Sequence, residues 1–425
     1  MKISRITLLA LATVALAIGL GTNAYAFHSG GVAECSGCHS MHSPYPGGSS
    51  LLIGSDKSAT CLSCHQQAGL VTPSSYHIST ADADMPVGTA PLQRTPGGDF
   101  GWLKKTYTWA GRGTPPPTET ETGASHGHNI IAGASETGTY NYVIDPDNPA
   151  APGGTYPSAN LGCTSCHDPH GKARRLADGT VVSSGLPIVG SGSYTNSALP
   201  VAGSKAVGAY RILAGPGYVT DGVTFEGVPA AIAPSTYNVT EALNQVKVAY
   251  GRSTAAGNVP WSQWCGECHG DMHYDNGSKY VHPTDNALGT TIFNNYNAYK
   301  KSGDLTGVQA SSFSSLTPFF YNIADYEALK TKTGAAAPTF AGPDSGSDRV
   351  DCLSCHRAHA SGWEFALRWN PEYEMLTDAN GAYFNGSFGG RGHSTAEVQA
   401  AYYDRPATVF SVSQRSLCNK CHVKD

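Results

Sequence analysis

The segment CTSCHDPH, residues 163–170, contains the five-residue pattern Cys-x-x-Cys-His, which occurs six times in the chain. In each copy the two thiols can lie one helical turn apart and add to the two vinyl groups of a haem, and the histidine that follows can ligate the iron. This is the attachment signature of c-type haem. The six copies are Cys35–His39, Cys61–His65, Cys163–His167, Cys265–His269, Cys352–His356 and Cys418–His422.

The cysteine count leaves little room for another use of these pairs. The chain has 12 cysteines, and the six motifs use all of them. Zinc sites and thiol redox motifs also contain Cys-x-x-Cys, but neither needs a histidine after every pair. We therefore predict six covalently bound haem c groups. The predicted attachment residues are Cys35, Cys38, Cys61, Cys64, Cys163, Cys166, Cys265, Cys268, Cys352, Cys355, Cys418 and Cys421.

The first 26 residues have the pattern of a secretory signal peptide. Lys2 and Arg5 give a positive start, residues 6–20 are apolar, and residues 24–26 (Ala-Tyr-Ala) form a small-residue cleavage site. The alternative is a membrane anchor, but the apolar run is short and ends at a cleavage pattern. We predict a secreted protein whose mature part is residues 27–425, which agrees with the attachment of c-type haem outside the cytoplasm.

The composition predicts a chain with little regular structure. It has 50 glycines and 26 prolines in 425 residues, more than the usual share of about 7% and 5%. The segments GTPPPTETETG (113–123) and DPDNPAAPGGTYP (145–157) indicate turns and loops. Burial of on the order of 400 Å² of porphyrin stabilises such a chain by about 10 kcal/mol per haem.

The expected fold class is therefore mostly irregular coil with short helices, in a single multihaem cytochrome c domain organised around a chain of six haems. Short helices are expected at the attachment motifs and around Thr240–Tyr250 and Asp325–Lys332. The net charge of −5, to which haem propionates would add, excludes a basic nucleic-acid surface. Three basic pairs either bind propionates or are solvated: Lys104-Lys105, Arg174-Arg175 and Lys300-Lys301.

The histidine count favours an electron carrier over an enzyme. The chain has 16 histidines, of which the motifs use His39, His65, His167, His269, His356 and His422 as proximal ligands. Enough histidines remain to give every iron a second imidazole. Methionine is the other common sixth ligand, but Met41 and Met272 each stand beside a histidine. An iron with two protein ligands has no open position for a substrate.

Two arrangements select six distal histidines. The first, third and fifth motifs carry another histidine three residues on, so the chain divides into three haem-pair repeats, approximately 27–80, 120–275 and 280–425. These trailing histidines are His42, His170 and His359. A further histidine precedes each extended motif, and these leading histidines are His28, His128 and His282. His77 and His273 remain alternatives to the leading three, whereas His126 and His393 are predicted to be surface residues.

A trailing histidine lies too close to its own motif to reach the opposite face of its own iron. A uniform step back by one pair lets His359 serve the third haem and His170 the first. His42 then has no earlier pair in its chain, and the fifth haem has no donor. Either a neighbouring subunit supplies His42 to the fifth haem, or His42 binds within its own chain and a residue such as His273 fills the fifth site.

Long runs outside the motifs resemble the outer-surface hexahaem cytochromes of dissimilatory metal-reducing bacteria, the OmcS type. The resemblance extends from the mature start to the last residues and is weaker around Ser135–Asn148. It includes FHSGGVAEC (27–35), SSYHISTADADMPVGTAPLQ (74–93), TPGGDFGWLKKTYTW (95–109), VGAYRIL (207–213), KKSGDLTG (300–307) and CLSCHRAHASG (352–362). His126 and His393 are not part of that family's pattern.

The resemblance implies a single coil-rich domain, a continuous chain of bis-histidine haems and head-to-tail polymerisation into a conducting filament. It also implies that the first extended motif donates its trailing histidine to the fifth haem next door. The expected function is extracellular electron transfer to acceptors such as metal oxides, with upstream periplasmic or outer-membrane cytochromes as donors. The alternatives are a monomeric periplasmic shuttle and a multihaem reductase with one open iron. The chain lacks the C-x-x-C-Lys variant expected at a nitrite-reductase-type catalytic haem.

Overall fold

Short elements joined by irregular segments make up the part of the chain that the structure describes. The computed structural model describes residues 35–48, 50–67, 69, 76–142, 144–234, 248–273, 283–312, 317–323, 325–333 and 342–422. The predicted signal peptide lies outside these residues. Within them, no helix is long and apolar enough to cross a membrane. The expected fold class, irregular coil with short helices, is confirmed.

The α-helices are few and mostly of one or two turns. In chain order they are α1 (Cys35–Cys38), α2 (Lys57–His65), α3 (Cys163–Cys166), α4 (Trp261–Gly266), α5 (Gly270–His273), α6 (Gly289–Ala298), α7 (Tyr326–Lys330), α8 (Cys352–Cys355), α9 (Thr395–Ala401) and α10 (Asn419–His422). Short 3₁₀ turns occupy Asp82–Asp84, Phe100–Lys104, Gly123–His126, Ser158–Asn160, Tyr210–Ile212, Gln309–Ser311, Glu364–Ala366, Phe388–Gly390 and Ala407–Val409.

The strands are two to five residues long. They are β1 (Gln66–Gln67), β2 (Ser79–Thr80), β3 (Thr106–Ala110), β4 (Thr118–Thr122), β5 (Ala134–Ser135), β6 (Gly138–Thr139), β7 (Arg174–Arg175), β8 (Val181–Val182), β9 (Val207–Gly208), β10 (Val219–Thr220), β11 (Val223–Thr224), β12 (Ala230–Ile232), β13 (Ala249–Gly251), β14 (Asn286–Ala287), β15 (Phe320–Tyr321) and β16 (Arg349–Val350). The largest sheet has the order β12-β13-β15-β16-β14, and β8-β7-β9 form a second. Two-stranded pairs are β1-β2, β3-β4, β5-β6 and β10-β11.

Of the two helices expected away from the motifs, one is confirmed. Helix α7 lies within Asp325–Lys332, and the Asp325 carboxylate caps it by accepting a hydrogen bond from the Ala328 amide (2.7 Å). The prediction around Thr240–Tyr250 is wrong at its end, where Ala249–Gly251 form strand β13. This strand pairs with β12 and β15, so sheet hydrogen bonds replace helical ones. Residues 240–247 lie outside the described part.

Aromatic side chains dominate the largest core cluster, which joins the first third of the chain to the last. Trp102 and Tyr107 pack in it with Trp363, Tyr402 and Tyr403. A second cluster lies in the middle of the chain, around Phe225, Tyr250 and Trp261. The division into three haem-pair repeats stays a prediction, but the first and last repeats share a core.

Asp99 fixes the loop on which the first cluster rests. Its buried carboxylate accepts hydrogen bonds from the amides of Thr80 (2.9 Å), Gln93 (2.9 Å) and Gly101 (2.7 Å) and from the Thr80 hydroxyl (2.6 Å). One side chain thus joins β2, the 90s loop and the 3₁₀ turn Phe100–Lys104.

We expect Asp99→Ala to lower the free energy of unfolding by about 3 kcal/mol or more, because buried donors left without an acceptor each cost roughly 1–3 kcal/mol. Thermal unfolding of the haem-loaded protein measures the change. Asp147→Ala, at an exposed carboxylate, is the control and should be nearly neutral. Equal midpoints for the two variants would contradict this role of Asp99.

Candidate haem sites

All six attachment motifs overlap short helices, as the sequence predicts. The single-turn helices α1, α3 and α8 contain only their Cys-x-x-Cys segments, and α2, α4 and α10 contain or enter theirs. Side-chain caps begin two of these helices. Asp351 and Ser354 form a reciprocal capping box at α8, and Asp56 caps α2. All twelve cysteines are described, and none forms a disulfide.

The proximal histidines have their ring orientation fixed by backbone carbonyls. In five motifs the Nδ1 atom donates a hydrogen bond to a carbonyl oxygen from another segment. The pairs are His39 with Ser50 (2.9 Å), His65 with Tyr76 (2.6 Å), His167 with Arg211 (2.9 Å), His269 with Pro152 (2.8 Å) and His356 with Phe365 (2.7 Å). A proton on Nδ1 makes Nε2 the metal-binding nitrogen. This is the tautomer that an axial haem ligand requires.

The first, third and fifth motifs share one further backbone feature. The carbonyl that accepts the Nδ1 hydrogen bond belongs to the first of two consecutive left-handed residues. These are Ser50 and Leu51 (φ 57° and 57°), Arg211 and Ile212 (48° and 50°), and Phe365 and Ala366 (60° and 55°). A leucine follows each pair and bridges to the motif histidine: Leu52 to His39, Leu213 to His167 and Leu367 to His356.

Non-glycine residues in the left-handed region cost roughly 1–2 kcal/mol each. Three pairs at equivalent places therefore indicate a constraint imposed by the site rather than by local sequence. This recurrence supports the alternation of extended and plain motifs that the sequence suggested.

Consecutive motifs are neighbours in space. Burial raises the pKa of the Cys38 thiol, and the nearby Cys64 and Cys35 raise it further. The Cys61 thiol donates a hydrogen bond to Cys163, which raises its own pKa. The same kinds of contact continue along the chain. The neighbouring pairs are Cys38 with Cys64, Cys61 with Cys163, Cys166 with Cys268, Cys265 with Cys352, and Cys355 with Cys418.

These contacts alternate between two kinds. Within each predicted haem pair, the second cysteine of the extended motif lies near a cysteine of the plain motif. Between successive pairs, the first cysteine of the plain motif lies near the first cysteine of the following extended motif. Six haems on these cysteines would follow one another in motif order.

Two distal candidates lie near proximal histidines. The rings of His128 and His269 have centroids 6.0 Å apart. Two metal–imidazole bonds of about 2 Å, with half a ring on each side, span roughly this distance. His359 lies near His167, donates through Nδ1 to the Gly98 carbonyl (3.4 Å) and stacks on Phe100. These placements fit the fourth and third haems.

Burial is the main reason why both rings stay neutral, as iron ligands must. Desolvation first, then the nearby His269, lowers the pKa of His128 to about 4. Desolvation first, then the nearby His167, lowers the pKa of His359 to about 3. The Nδ1 of His128 also donates to the Ala358 carbonyl (2.7 Å), so this ring too presents Nε2.

The remaining distal candidates comprise two exposed histidines, one buried histidine and three whose side chains the structure does not describe. His42 and His170 are exposed. His77, an alternative to His28, is buried, and its pKa is lowered by desolvation and then by the nearby His65 of the second motif. His28 and His282 lie outside the described residues. His273 ends helix α5, but the structure does not describe its side chain.

The prediction that His126 and His393 are surface residues is wrong. Both are 0% exposed. His126 donates from Nδ1 to the Ser361 carbonyl (3.1 Å) and from Nε2 to Glu121 Oε1 (2.6 Å). The Nδ1 of His393 lies 2.9 Å from the Gly390 carbonyl and its Nε2 lies 2.8 Å from the Gly362 carbonyl, and the neutral ring donates to one of the two. Because protein oxygen atoms lie within hydrogen-bonding distance of both nitrogens of each ring, neither ring is available to iron. The sequence missed the burial because glycine-rich surroundings suggested loops.

The basic pairs contact protein groups. Lys104 pairs with Asp82 (2.6 Å), Lys105 with Glu397 (3.3 Å) and Lys300 with Asp304 (3.3 Å). Arg174 donates to the carbonyls of Lys172, Gly185 and Leu186, and Arg175 to Gly179 and Asn258. In the described part of the chain, no group of three or more His, Cys, Asp or Glu side chains is arranged to hold a metal ion.

Comparison with known proteins agrees with these sites. No family model matches the chain. A C-type cytochrome OmcS from Geobacter sulfurreducens is 52% identical over 431 aligned positions, which cover 95% of each chain. The chain belongs to the OmcS family. Two solved structures, described as OmcS nanowires and as an Outer Membrane Cytochrome S filament from the same organism, match with TM-scores of 0.83 and 0.82. Both are 50% identical and cover 94% of this chain and all of the other.

Membership of the OmcS family places the chain among electron-transfer cytochromes rather than enzymes. The cofactor prediction, six covalently bound haem c groups, is confirmed in the same way. When bound, the haems supply the change of oxidation state. The chain's own residues attach them, supply imidazoles and fix the ring tautomers through carbonyls.

The purified protein is expected to carry six haems per chain, all low-spin once assembled. Mass spectrometry of the denatured chain measures the covalent load, and absorption and electron paramagnetic resonance (EPR) spectra report the spin state. Five or fewer haems in matured protein would contradict the attachment assignment. Ready carbon monoxide binding by the assembled form would favour the reductase alternative.

We expect His77→Ala to convert one haem, the second, to high spin, because His77 is buried near His65, the proximal ligand of that haem. His28→Ala is the matched variant, and the high-spin EPR signal of the oxidised protein decides between them. A high-spin signal in His28→Ala alone would instead support the leading-histidine pattern.

Proposed function

We propose that the chain polymerises head to tail into an extracellular filament that conducts electrons along bis-histidine haems to acceptors such as metal oxides. The observation that carries the proposal is the exposure of His42, a candidate distal ligand. If each trailing histidine serves a haem of the preceding pair, His42 has no haem to serve in its own chain, because its motif belongs to the first pair. Upstream periplasmic or outer-membrane cytochromes would supply the electrons.

The ligand scheme starts from the two placed pairs. His359 lies near the third motif, one pair back from its own, which is the step that the sequence pattern suggests. The same step assigns His170 to the first haem. His128 serves the fourth haem, and His77 or His28 the second. His282 or His273 would serve the sixth. The fifth haem, at His356, then receives His42 of the next subunit.

The two ends of the motif series support a junction between copies. The first cysteines of the four inner motifs are half-buried, but Cys35 and Cys418 are exposed. Contacts between pairs join first cysteines, so the exposed Cys35 and Cys418 are where a further contact of that kind would form between copies, although Cys418 also lies near Cys355 of its own pair. Apolar side chains are also exposed near the proposed ligand and its target, at Met41 (79%) and Phe365 (62%). A neighbouring copy would cover them.

Similarity to filament structures makes the polymer more plausible than the monomeric shuttle. Both matching structures are described as filaments or nanowires of their own protein. Negative-stain microscopy of secreted material separates the two: filaments support the proposal, and dispersed particles of one chain support the shuttle.

His42→Ala should abolish or greatly weaken filaments and leave one high-spin haem per chain, because an iron–histidine bond across the interface fixes register and adds affinity. Negative-stain microscopy and EPR spectra measure the two effects.

His170→Ala is the matched control, since His170 is also exposed and trails an extended motif but is assigned to a haem of its own chain. It should give one high-spin haem and intact filaments. Intact filaments with six low-spin haems in His42→Ala would contradict the assignment of His42.

A further inference from the structure

Three backbone segments meet where the distal ligands of the third and fourth haems lie. His128 donates from its amide to the His359 carbonyl (2.9 Å), and the His359 amide donates to Gly97 (2.6 Å). Between them Gly127 and Ala360 form an antiparallel bridge. The two ligand candidates are therefore held in one short ladder, so a shift of either strand moves both imidazoles.

The ladder is packed too closely for side chains. A Cβ at Gly127 would lie 2.3 Å from the His359 carbonyl oxygen, and one at Gly98 would lie 1.8 Å from the Ala360 oxygen. A Cβ at Gly97 would lie 2.8 Å from Nδ1 of His359. Glycine is needed at these positions because backbone approaches backbone and ring directly.

His126 forms hydrogen bonds at one end of this ladder. Its carbonyl accepts a hydrogen bond from the Ser361 amide (3.1 Å), and its Nδ1 donates to the Ser361 carbonyl (3.1 Å). Residue 126 is thus joined to residue 361 through both backbone and side chain, two residues from each ligand.

Glu121 holds the other side of the His126 ring. Its carboxylate, 2% exposed, accepts from Nε2 of His126 (2.6 Å) and from Arg391, which also reaches Glu364 (2.7 Å). Burial opposes ionisation of Glu121, but the hydrogen bond and charge of His126, with the charge of Arg391, hold its pKa below the ordinary value. Glu121 stands on β4 opposite Tyr107 of β3, so the hairpin anchors the ring.

We propose that the Glu121–His126 pair positions His128 and His359, and that it thereby sets the ligand orientation of the third and fourth haems together. His126 is a positioning residue and does not touch iron. Groups around a metal-ligating imidazole fix its orientation and tune the metal, and haem potentials respond to such interactions. The inference rests on the proposed ligation of these two haems by His359 and His128.

The test uses His126→Leu, which removes both ring hydrogen bonds, and His126→Gln, which keeps a buried donor. The readouts are covalent haem content, EPR spectra of the oxidised protein and potentiometric titration. We expect His126→Leu to retain six haems but to change the EPR signals and midpoint potentials of two of them, and His126→Gln to restore part of the change. Six unchanged signals and potentials in both variants would overturn the proposal.

His393 provides the matched control. It is equally buried and packs 6.3 Å from the His126 ring, but its ring nitrogens face the carbonyls of Gly390 and Gly362 and make no hydrogen bond to the ladder of residues 126–128 and 359–361. His393→Leu and His393→Gln should leave the signals of those two haems unchanged. If they alter the same two haems to the same extent, the effect is one of general packing and the proposal is wrong. Should His126→Leu fail to mature, the comparison of His126→Gln with His393→Gln decides.

His128→Ala and His359→Ala separate this proposal from the ligand scheme. Each should create one high-spin haem. If neither does, the assignment of His128 and His359 as iron ligands is wrong, regardless of the results for the His126 variants. If both do and the His126 variants match the unmodified protein, ligation stands and the positioning role is wrong.

Discussion

A backbone carbonyl accepts the Nδ1 hydrogen bond of the proximal histidine in five of the six haem motifs. Each acceptor comes from outside its own motif, and in the fourth motif it is Pro152, more than a hundred residues before His269. Each site therefore ties two parts of the chain together. The same hydrogen bond holds a loop against the motif and selects the iron-binding tautomer. This explains how a chain with so little regular structure can form defined sites.

The same bonds explain where the backbone is strained. In the three extended motifs, the acceptor carbonyl belongs to the first of two successive residues in the left-handed conformation, as at Arg211 and Ile212. Neither residue type favours it. Since the arrangement recurs at all three extended motifs and leads each time into a leucine bridge, the unit of structure is the motif with its distant loop. The sequence alone does not reveal this unit, because the number of residues between the motif histidine and its loop differs greatly among the three motifs.

The sequence could predict what the chemistry of short motifs dictates. Six Cys-x-x-Cys-His copies specified the cofactor, its number and the motif helices, and the high glycine and proline content indicated coil. The sequence could not predict which carbonyls accept the Nδ1 hydrogen bonds, because every residue has a backbone carbonyl and no residue type marks the acceptor. The tertiary environment also overrode local appearance at His126 and His393, which looked like loop residues but are buried among aromatic side chains. At Ala249 and Tyr250 sheet pairing prevailed over helix propensity.

The ligand scheme connects the filament with the reductase alternative. If each trailing histidine serves the previous extended motif, one subunit by itself cannot complete its fifth haem, and the iron at His356 has an open position. A single chain would then resemble an enzyme with one reactive iron. Assembly would close that position with His42 and leave a protein that only changes oxidation state. Polymerisation would thus remove side reactions with small ligands at the same step that joins one haem series to the next. The state of assembly, rather than the haem number, would then determine the chemistry of the chain.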